Sequence, residues 1–351
     1  MDVYIIRKNL GMKKLIVVLM IMVTAKQNYA QDLTFSQFYE QPLLRNPALA
    51  GVFDGDVRVK ATFRNQWNAV TVPFQTGALS GELKMPIKNA ANDWITIGMQ
   101  ITHDVAGDAR LKRTSIQPAI NYHKNLGDEN FLSIAFMGGP VNTQFDPTRL
   151  KWDDQFVAGS YNPANPTAQV FNNTGYTYWD ASVGLTYTGV LSEETRFYAG
   201  AALYHFNNPK LNFYSNNGQF SVLGRKYVVN AGLTTRTSDN NKIQVYADYF
   251  NQSGASQFLG GFLYGIEFIN RYEDNKTVNL NLGAFFRWND ALIPVINFDF
   301  YDFTFGLSYD VNVSRLKAAS QMQGGFELSA TYRASLNRRS NFSDAVRCVR
   351  F

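Results

Sequence analysis

Residues 303–313 read FTFGLSYDVNV and alternate between apolar and polar side chains along their whole length. A period of two is the pattern of a β-strand with one apolar face. The run exceeds the roughly five or six residues of a strand in a globular protein, and about ten residues cross a bilayer at the tilt of a barrel strand. Residues 303–313 therefore predict a membrane-spanning β-strand.

The same alternation recurs along the chain, most clearly at residues 57–63, 278–289 and 325–334. With the weaker runs it predicts about fourteen strands, an even number, as in most single-chain bacterial barrels. We therefore predict an all-β fold, a transmembrane antiparallel β-barrel. The predicted strands cover residues 57–67, 74–85, 94–103, 111–123, 130–138, 176–189, 195–206, 226–237, 242–251, 257–269, 277–289, 292–300, 302–313 and 324–334.

The composition favours a barrel over a helical membrane protein. Hydrophobic residues make up 45% of the 351 residues and aromatic ones 15%, yet the mean hydropathy is −0.23. Barrel strands need one apolar face, whereas a membrane helix needs roughly 20 consecutive apolar residues. The alternative is a soluble β-sandwich. It has less need of long strands, or of aromatic girdles near strand ends such as Trp67, Trp94, Trp179 and Trp288.

The N-terminus has the pattern of a secretory signal peptide. Basic residues, including Lys13 and Lys14, precede an apolar run at 15–25, and Ala30 ends a cleavage-site pattern. We predict cleavage after Ala30 and export to the outer membrane. Met12 is a natural alternative start, and an N-terminal anchor helix is the competing interpretation. The leader holds five basic and one acidic residue, so its removal leaves 28 basic and 27 acidic residues, a balance that gives no reason to expect nucleic acid.

The sequence offers no catalytic constellation, no cofactor motif and no metal-ligand spacing. His103 and His123 fall near predicted strand ends, where a single histidine usually only forms a hydrogen bond with a loop. Asp153 and Asp154 could bind calcium, but a solvated acidic loop is the simpler interpretation. We therefore expect no enzyme activity, no cofactor and no metal site.

Charged residues occupy the polar faces of the predicted strands. Facing lipid, each would cost a few kcal/mol near the bilayer midplane, so we expect them in the lumen. They could line a channel, or pair with one another and with a plug, which we favour slightly. These residues are Arg58, Lys60, Arg64, Asp248, Glu267, Arg287, Asp299, Asp310, Glu327 and Arg333.

Residues 31–52 break the strand pattern. They contain Pro42 and Pro47 but are too apolar for a disordered linker. We predict a short plug-like segment inside the barrel mouth. The predicted organisation is a signal peptide at 1–30, the plug-like segment at 31–52, a barrel at 53–334 and a basic tail at 335–351, which is either a periplasmic docking strand or a solvated end.

The plug-like segment also carries a family resemblance. Its motif, followed by the strand-end motif Arg64-Asn65-Gln66-Trp67, resembles the opening of the PorP/SprF family of type IX secretion and gliding proteins of Bacteroidetes. The element His205, Asn207 and Pro209 and the ending Cys348-Val349-Arg350-Phe351 resemble family elements less specifically, and Val349 departs from the family's proline. The motif residues are Phe35, Ser36, Gln37, Tyr39, Pro42, Asn46, Pro47, Ala48 and Gly51.

The resemblance implies a non-catalytic outer-membrane barrel that assists export or surface anchoring of a secreted partner. It implies contact with membrane lipid and with either type IX components or the C-terminal domain of a secreted adhesin. The resemblance leaves open whether the chain is PorP-like or SprF-like. A long polar connection is predicted at about residues 139–175. Four aromatic residues in it or just after it could contribute to a docking surface or belong to an interfacial girdle: Tyr161, Phe171, Tyr176 and Tyr178. The alternative function is an outer-membrane porin or solute channel, which needs an open lumen.

Overall fold

The structure is a computed structural model that describes residues 32–67, 72–88, 90, 92–171, 173–211, 221–269, 277–314 and 320–336. The described residues from Leu33 onward group as one compact unit. The predicted signal peptide, most of the predicted basic tail and Cys348 lie outside the described residues. Among the described helices, none combines the length and hydropathy that a membrane-spanning helix needs.

Fourteen antiparallel strands form a closed barrel, which confirms the predicted fold class and strand number. Each strand pairs with its neighbours in sequence, and the first pairs with the last, from Val57 opposite Ala334 to Gln66 opposite Gly325. Closure leaves no strand edge unpaired, as a sheet in a membrane requires. The strands are β1 Val57–Gln66, β2 Phe74–Pro86, β3 Trp94–Ala106, β4 Leu111–Gly127, β5 Asn130–Gln144, β6 Gly175–Ser192, β7 Thr195–Tyr204, β8 Lys226–Ser238, β9 Asn241–Gln252, β10 Ala255–Ile269, β11 Thr277–Arg287, β12 Ala291–Phe300, β13 Phe303–Asn312 and β14 Gln323–Ala334.

The alternation of the sequence becomes the two faces of the wall. In β13, Phe303, Phe305 and Leu307 are exposed on the outside, while Thr304 and Ser308 are buried on the inside. Successive side chains of a strand point to opposite faces. Aliphatic and aromatic side chains therefore form the outer surface of the barrel.

The connections divide the barrel into two different ends. Odd-numbered strands all end at one end, where the connections 145–174 and 205–225 lie. We call this the long-loop end. At the opposite, short-turn end, connections such as 128–129, 193–194, 239–240 and 301–302 have two residues each. The loop 145–174 has structure of its own, with 3-10 helices Pro147–Arg149 and Asp153–Gln155 and a hairpin of Phe156–Val157 with Ser160–Tyr161. The loop 205–225 holds a second hairpin, of Lys210–Leu211 with Ser221–Val222.

The predicted plug-like segment lies inside the barrel. It folds as a 3-10 helix Phe38–Glu40, a one-turn helix α1 Pro42–Arg45 and a 3-10 helix Pro47–Leu49. Pro42 and Pro47 occupy first helical positions, where proline has no N–H bond to lose. The Asn46 side chain caps the last of these helices by accepting from the Ala48 N–H at 2.9 Å.

Three aromatic side chains lie elsewhere than predicted. Trp94 was assigned to an interfacial girdle, but it is 4% exposed and stacks on His123 inside the barrel. Tyr176 and Tyr178 were placed in an exposed loop, but both lie within β6, where Tyr176 is half-buried and Tyr178 is buried. All three residues are near strand starts, where the boundary between loop and strand is least certain and a shift of one residue exchanges the two faces.

Candidate functional site: the plugged bore

The plug, residues 33–53, runs through the bore from one end to the other. Thr34 accepts a hydrogen bond from Arg64, near the long-loop end of β1. Asn46 bonds to Leu185 and Ala201 in the middle of the wall. Phe53 accepts from Lys84, near the short-turn end of β2. The chain therefore enters the bore at the long-loop end and leaves it at the short-turn end, where β1 begins.

At the long-loop end, the plug backbone binds Glu327. The Ser36 and Gln37 N–H groups donate to the two carboxylate oxygens of Glu327 at 2.7 and 2.9 Å. The Gln37 amide donates to the Glu327 carbonyl at 3.1 Å and accepts from the Ser329 hydroxyl at 2.8 Å. Gly306 lies beside Gln37 Oε1, and a Cβ there would come within 2.3 Å of it. The wall is thus shaped to this part of the plug.

Asp310 joins the same end of the plug to two arginines. Its carboxylate accepts from the Ser36 hydroxyl at 2.5 Å, from Arg64 Nη2 at 2.8 Å and from Arg287 Nη2 at 2.6 Å. Arg287 also pairs with Asp290. A buried charge without a partner is costly, so these residues depend on one another. We call Arg64, Arg287, Asp310 and Glu327 the long-loop cluster.

Arg45 anchors the middle of the plug. It forms a two-pronged ion pair with Asp248, with distances of 2.6 and 2.5 Å, and donates to the Tyr198 hydroxyl at 2.7 Å. Its guanidinium also lies 5.0 Å from the Phe38 ring centre and 5.8 Å from that of Tyr246. Planar guanidinium groups suit both carboxylate and aromatic partners. Arg45 was not singled out from the sequence, although its partner Asp248 was.

Asn46 ties the plug to three strands at once. Its amide donates to the Thr186 hydroxyl at 3.0 Å, to Asn230 Oδ1 at 3.2 Å and to two backbone carbonyls. Gly184 and Gly200 leave the space: a Cβ at Gly184 would lie 2.0 Å from Asn46 Oδ1. Asn46 therefore has two roles: it caps the helix that begins at Pro47, and it binds the wall.

The end of the plug packs against β2, β3 and β4. The Asn121 amide donates to the Ala48 and Ala50 carbonyls at 2.9 and 2.8 Å. Gly51, with φ +82°, donates its N–H to Glu82 at 2.8 Å. A Cβ at Gly51 would come within 2.0 Å of the Thr96 hydroxyl, so both its backbone angle and its space require glycine.

Aromatic stacking fills the space between these polar anchors. Tyr39 stacks on Tyr246 and Phe285, with ring centres 5.3 and 5.0 Å apart. Its hydroxyl accepts from the Asn297 amide at 3.0 Å. Leu43 is fully buried, and its carbonyl accepts from the Tyr204 hydroxyl. Phe35, Pro42 and Pro47 complete the buried motif positions.

At the short-turn end the bore contains a polar cavity of about 90 Å³. Lys60 pairs with Glu40 at 2.5 Å. Lys242 lies 3.9 Å from Asp299, and Arg333 donates to the Thr304 hydroxyl at 2.7 Å. The Arg58–Glu82 pair, at 2.8 Å, lies beside the cavity. We call Lys60, Lys242 and Arg333 the short-turn cations.

The predicted lumen charges fall into three groups. Seven are buried, and each lies in the bore in contact with the plug or with another of these charges. Asp299 and Arg333 are half-buried at the cavity mouth. Glu267 is further out, 3.4 Å from the exposed Arg236, and does not contact the plug. The seven buried residues are Arg58, Lys60, Arg64, Asp248, Arg287, Asp310 and Glu327.

The strand-end motif does not act as one group. Arg64 belongs to the long-loop cluster, whereas Asn65 pairs with Phe326 on the other face of the wall. Gln66 is half-buried beside Arg64. Trp67 directly follows β1, with φ 62°, and donates its N–H to the Gly324 carbonyl. The motif therefore combines one plug contact with the end of a strand.

The loop element closes part of the long-loop end. His205 is buried with φ 57°, and its Nδ1 lies 2.8 Å from Asp180 Oδ1. The Asn207 amide donates to the Trp179 carbonyl at 2.7 Å. Pro209 accepts from the Leu223 N–H at the base of the second hairpin. These bonds hold the start of the loop 205–225 against β6.

Several interior residues escaped prediction. Glu82 and Lys84 share the inner face of β2, which the period-two pattern could have indicated. His123 lies 3.1 Å from the Thr96 hydroxyl and 2.7 Å from that of Ser133, both inside the barrel. His103 is exposed and bonds Thr114. For His123, the strand end lay further along the chain than predicted, because β4 continues to Gly127.

The acidic pair of the long loop has a structural position. Asp154 accepts from the Thr167 hydroxyl at 2.9 Å and from the Ala168 N–H at 2.7 Å, so it holds the loop together. Asp153 begins the 3-10 helix beside it. In the part of the chain that the structure describes, no group of three or more His, Cys, Asp or Glu side chains is placed to hold a metal ion.

Residues 27–332 match the model of the family described as type IX secretion system membrane protein PorP/SprF. The match covers most of the chain, which therefore belongs to this family. No curated protein matches the chain.

Solved barrels resemble it at low identity. The CymD monoaromatic hydrocarbon channel is 13% identical, with 85% of this chain and 94% of that chain covered and a TM-score of 0.43. The NalP translocator domain from Neisseria meningitidis is 12% identical, with 85% and 95% covered and a TM-score of 0.41. CdiB from Acinetobacter baumannii is 10% identical, with a TM-score of 0.41. The alignment covers 79% of this chain but 60% of CdiB.

Proposed function

We propose that this PorP/SprF-family barrel is a non-catalytic outer-membrane component of the type IX secretion and gliding machinery of Bacteroidetes. In this role it assists export or surface anchoring of a secreted partner, for which an adhesin C-terminal domain is the candidate. The predicted signal peptide would deliver the chain to the outer membrane, which the fold and family also suggest. The structure contributes the reason to prefer a docking role over a transport role.

That reason is the plugged bore. Residues 33–53 run through it from end to end, leaving a cavity of about 90 Å³ near the short-turn end, and are held by three sets of buried polar contacts, centred on Glu327, Asp248 and Glu82. A diffusion channel needs an open lumen. A plug that is fixed at both ends and in the middle supports a barrel that presents surfaces to partners.

The long-loop end offers such a surface. In the loop 145–174, Phe156 is 49%, Val157 60% and Val170 75% exposed. Phe156 packs on Tyr161, with ring centres 5.4 Å apart, so the small hairpin holds an apolar pair outward. Exposed apolar side chains that lie together on an ordered loop often mark a protein–protein interface. Phe171, in contrast, packs on Phe145 within the loop.

A crosslinked pull-down from the native outer membrane tests the proposal. Recovery of one large secreted protein would support a dedicated SprF-like anchor, and recovery of periplasmic type IX components would support a PorP-like role. A deletion strain provides the second measurement. If type IX substrates remained correctly displayed on its surface, the proposed role would be wrong.

The porin alternative has its own test. Single-channel recordings of the purified protein in planar bilayers should show no steady large conductance, because the plug occupies the bore. A steady open-channel current would instead favour a solute channel.

A further inference from the structure

We propose that the short-turn mouth contains a carboxylate-binding pocket, formed by Lys60, Lys242 and Arg333, that takes an acidic group from a polypeptide. That the ligand comes from a polypeptide rests on the proposed docking role. That the ligand is a carboxylate is argued from the residues of the cavity alone. Because the plug closes the bore beyond the cavity, the pocket is blind. It therefore admits a chain end or a side chain and not a chain in passage.

The first observation is the unequal charge around the cavity. The three short-turn cations share two carboxylates, Glu40 and Asp299. Arg333 donates to a hydroxyl, and among the described residues no carboxylate lies in ion-pair range of its guanidinium. Lys242 is 3.9 Å from Asp299, beyond hydrogen-bond reach. Within the described residues, Arg333 therefore has no carboxylate in direct contact and shares the more distant Glu40 with Lys60.

The second observation is that cations face one another across paired strands. Arg58 is directly opposite Arg333 in the β1–β14 pair, and Arg236 is opposite Lys242 in the β8–β9 pair. Like charges in directly opposed positions destabilise a sheet. Arg58 has a carboxylate partner in Glu82, and Arg236 has one in Glu267. Arg333 and Lys242 are therefore the members of these two pairs with the weaker counter-charge, and a ligand carboxylate would supply it.

The third observation is the space. A cavity of about 90 Å³ exceeds by several-fold the roughly 10–15 Å³ that one water molecule needs on this measure. It holds a carboxylate with the carbons that carry it. A single excess positive charge matches a monoanionic carboxylate, whereas a phosphate dianion would leave net negative charge in a partly buried site.

The test measures binding of a fluorescein-labelled GSGSE peptide with a free C terminus to the full-length protein in detergent micelles, by fluorescence anisotropy at low salt. The control peptide is the uncharged GSGSQ amide. We expect the acidic peptide to bind at least tenfold more tightly, and R333Q and K242Q each to weaken its binding about tenfold, since bonds to charged groups are the strong ones. K88Q removes an exposed cation from the turn between β2 and β3, outside the bore, and should leave binding unchanged.

R333Q removes a like-charge contact, so it should fold. Heat-modifiable migration in gel electrophoresis verifies this for each variant. Equal binding of the two peptides, or equal binding by R333Q and K88Q proteins, would overturn the pocket. Displacement of the peptide by inorganic phosphate at lower concentration than by acetate would overturn the carboxylate assignment. The deletion strain tests the proposed function separately, so failure of either proposal can be recognised without the other.

Discussion

The two ends of the bore have similar charged side chains but arrange them differently. In the long-loop cluster, Asp310 accepts from Ser36, Arg64 and Arg287 at 2.5–2.8 Å. At the short-turn end, the closest approach of Lys242 to Asp299 is 3.9 Å. The first arrangement is a saturated hydrogen-bond network, and the second leaves charge beside open space.

The difference also concerns what the charges bind. Glu327 accepts two backbone N–H groups of the plug, so the long-loop cluster is part of how the plug folds. Arg333 contacts the wall only, through Thr304. Satisfied buried networks rigidify a structure, whereas unequal charge beside a cavity is available to a ligand. The long-loop end thus fixes the plug, and the short-turn end is where we place the pocket.

The orientation of the barrel decides which of the two ends meets partners outside the cell. Cysteine labelling tests this orientation and should give the largest effect of the predictions. Val170 lies in the long loop, and Glu193 in a two-residue turn at the opposite end; both are exposed. Long loops usually lie outside the cell. We expect V170C to react with a membrane-impermeant maleimide on intact cells, and E193C only after permeabilisation. Both substitutions are made with Cys348→Ser, since Cys348 is the one native cysteine. Labelling of E193C on intact cells would invert the assignment of the two ends.

Breaking the long-loop cluster should have the largest effect on stability. D310N leaves Arg64 and Arg287 buried without their shared carboxylate, and removal of one partner from a buried pair typically costs about 3–5 kcal/mol. Urea unfolding in micelles, followed by tryptophan fluorescence, measures the loss. D108N changes an exposed aspartate at the same end and should stay within about 0.5 kcal/mol of the parent protein. Similar losses in both variants would show that the cluster does not stabilise the plug.

The wall could be predicted from the sequence because its signal is local. In β13 the polarity of each side chain indicates whether it faces the outside or the bore. Phe305 and Ser308 could therefore be assigned without knowledge of any partner residue. The same rule was weakest at strand starts. Trp94 begins β3, and one residue of uncertainty there led to its assignment to an outer aromatic girdle instead of the bore.

The plug contacts could not be predicted in the same way, because they join residues far apart in the chain. Arg45 meets Asp248 and Ser36 meets Asp310, and nothing near either residue indicates the other. The sequence therefore predicted that charges would be inside, but not which of them pair. Lys242 was missed because it follows a turn closely, although its inward face agrees with the alternation of β9.

Crowding the middle of the plug should lower the free energy of unfolding by an intermediate amount. In G184A the new Cβ would lie 2.0 Å from Asn46 Oδ1 and 2.9 Å from the Ala48 nitrogen. Added atoms in a filled interior typically cost about 1–3 kcal/mol. We also expect brief current openings in planar bilayers, because the plug is displaced where Asn46 ties it to the wall. G81A is the matched control, since nothing lies within 4 Å of its Cβ. Closed, stable G184A protein would mean that the wall adapts and that Asn46 is not a fixed anchor.

The smallest effect is expected outside the bore, at Asp93 in the turn before β3. Its carboxylate accepts from the Tyr122 hydroxyl at 2.6 Å, and from the Lys124 ammonium and the Asn125 N–H at 2.9 Å. Burial acts to raise the pKa of Asp93, but these donors outweigh it and hold the pKa below the ordinary 3.8.

A depressed pKa means that the unfolded chain takes up the proton first. The stabilisation by Asp93 is therefore present at neutral pH and is lost as the pH falls below about 3.8, through the folded value. D93N has no such titration. In urea unfolding, the free energy of unfolding of the parent protein should exceed that of D93N by at most about 1 kcal/mol at pH 7. This difference should disappear at low pH. A difference that persisted unchanged down to pH 2 would mean that Asp93 acts through its shape and not its charge, so that charge would matter inside the bore but not at this rim.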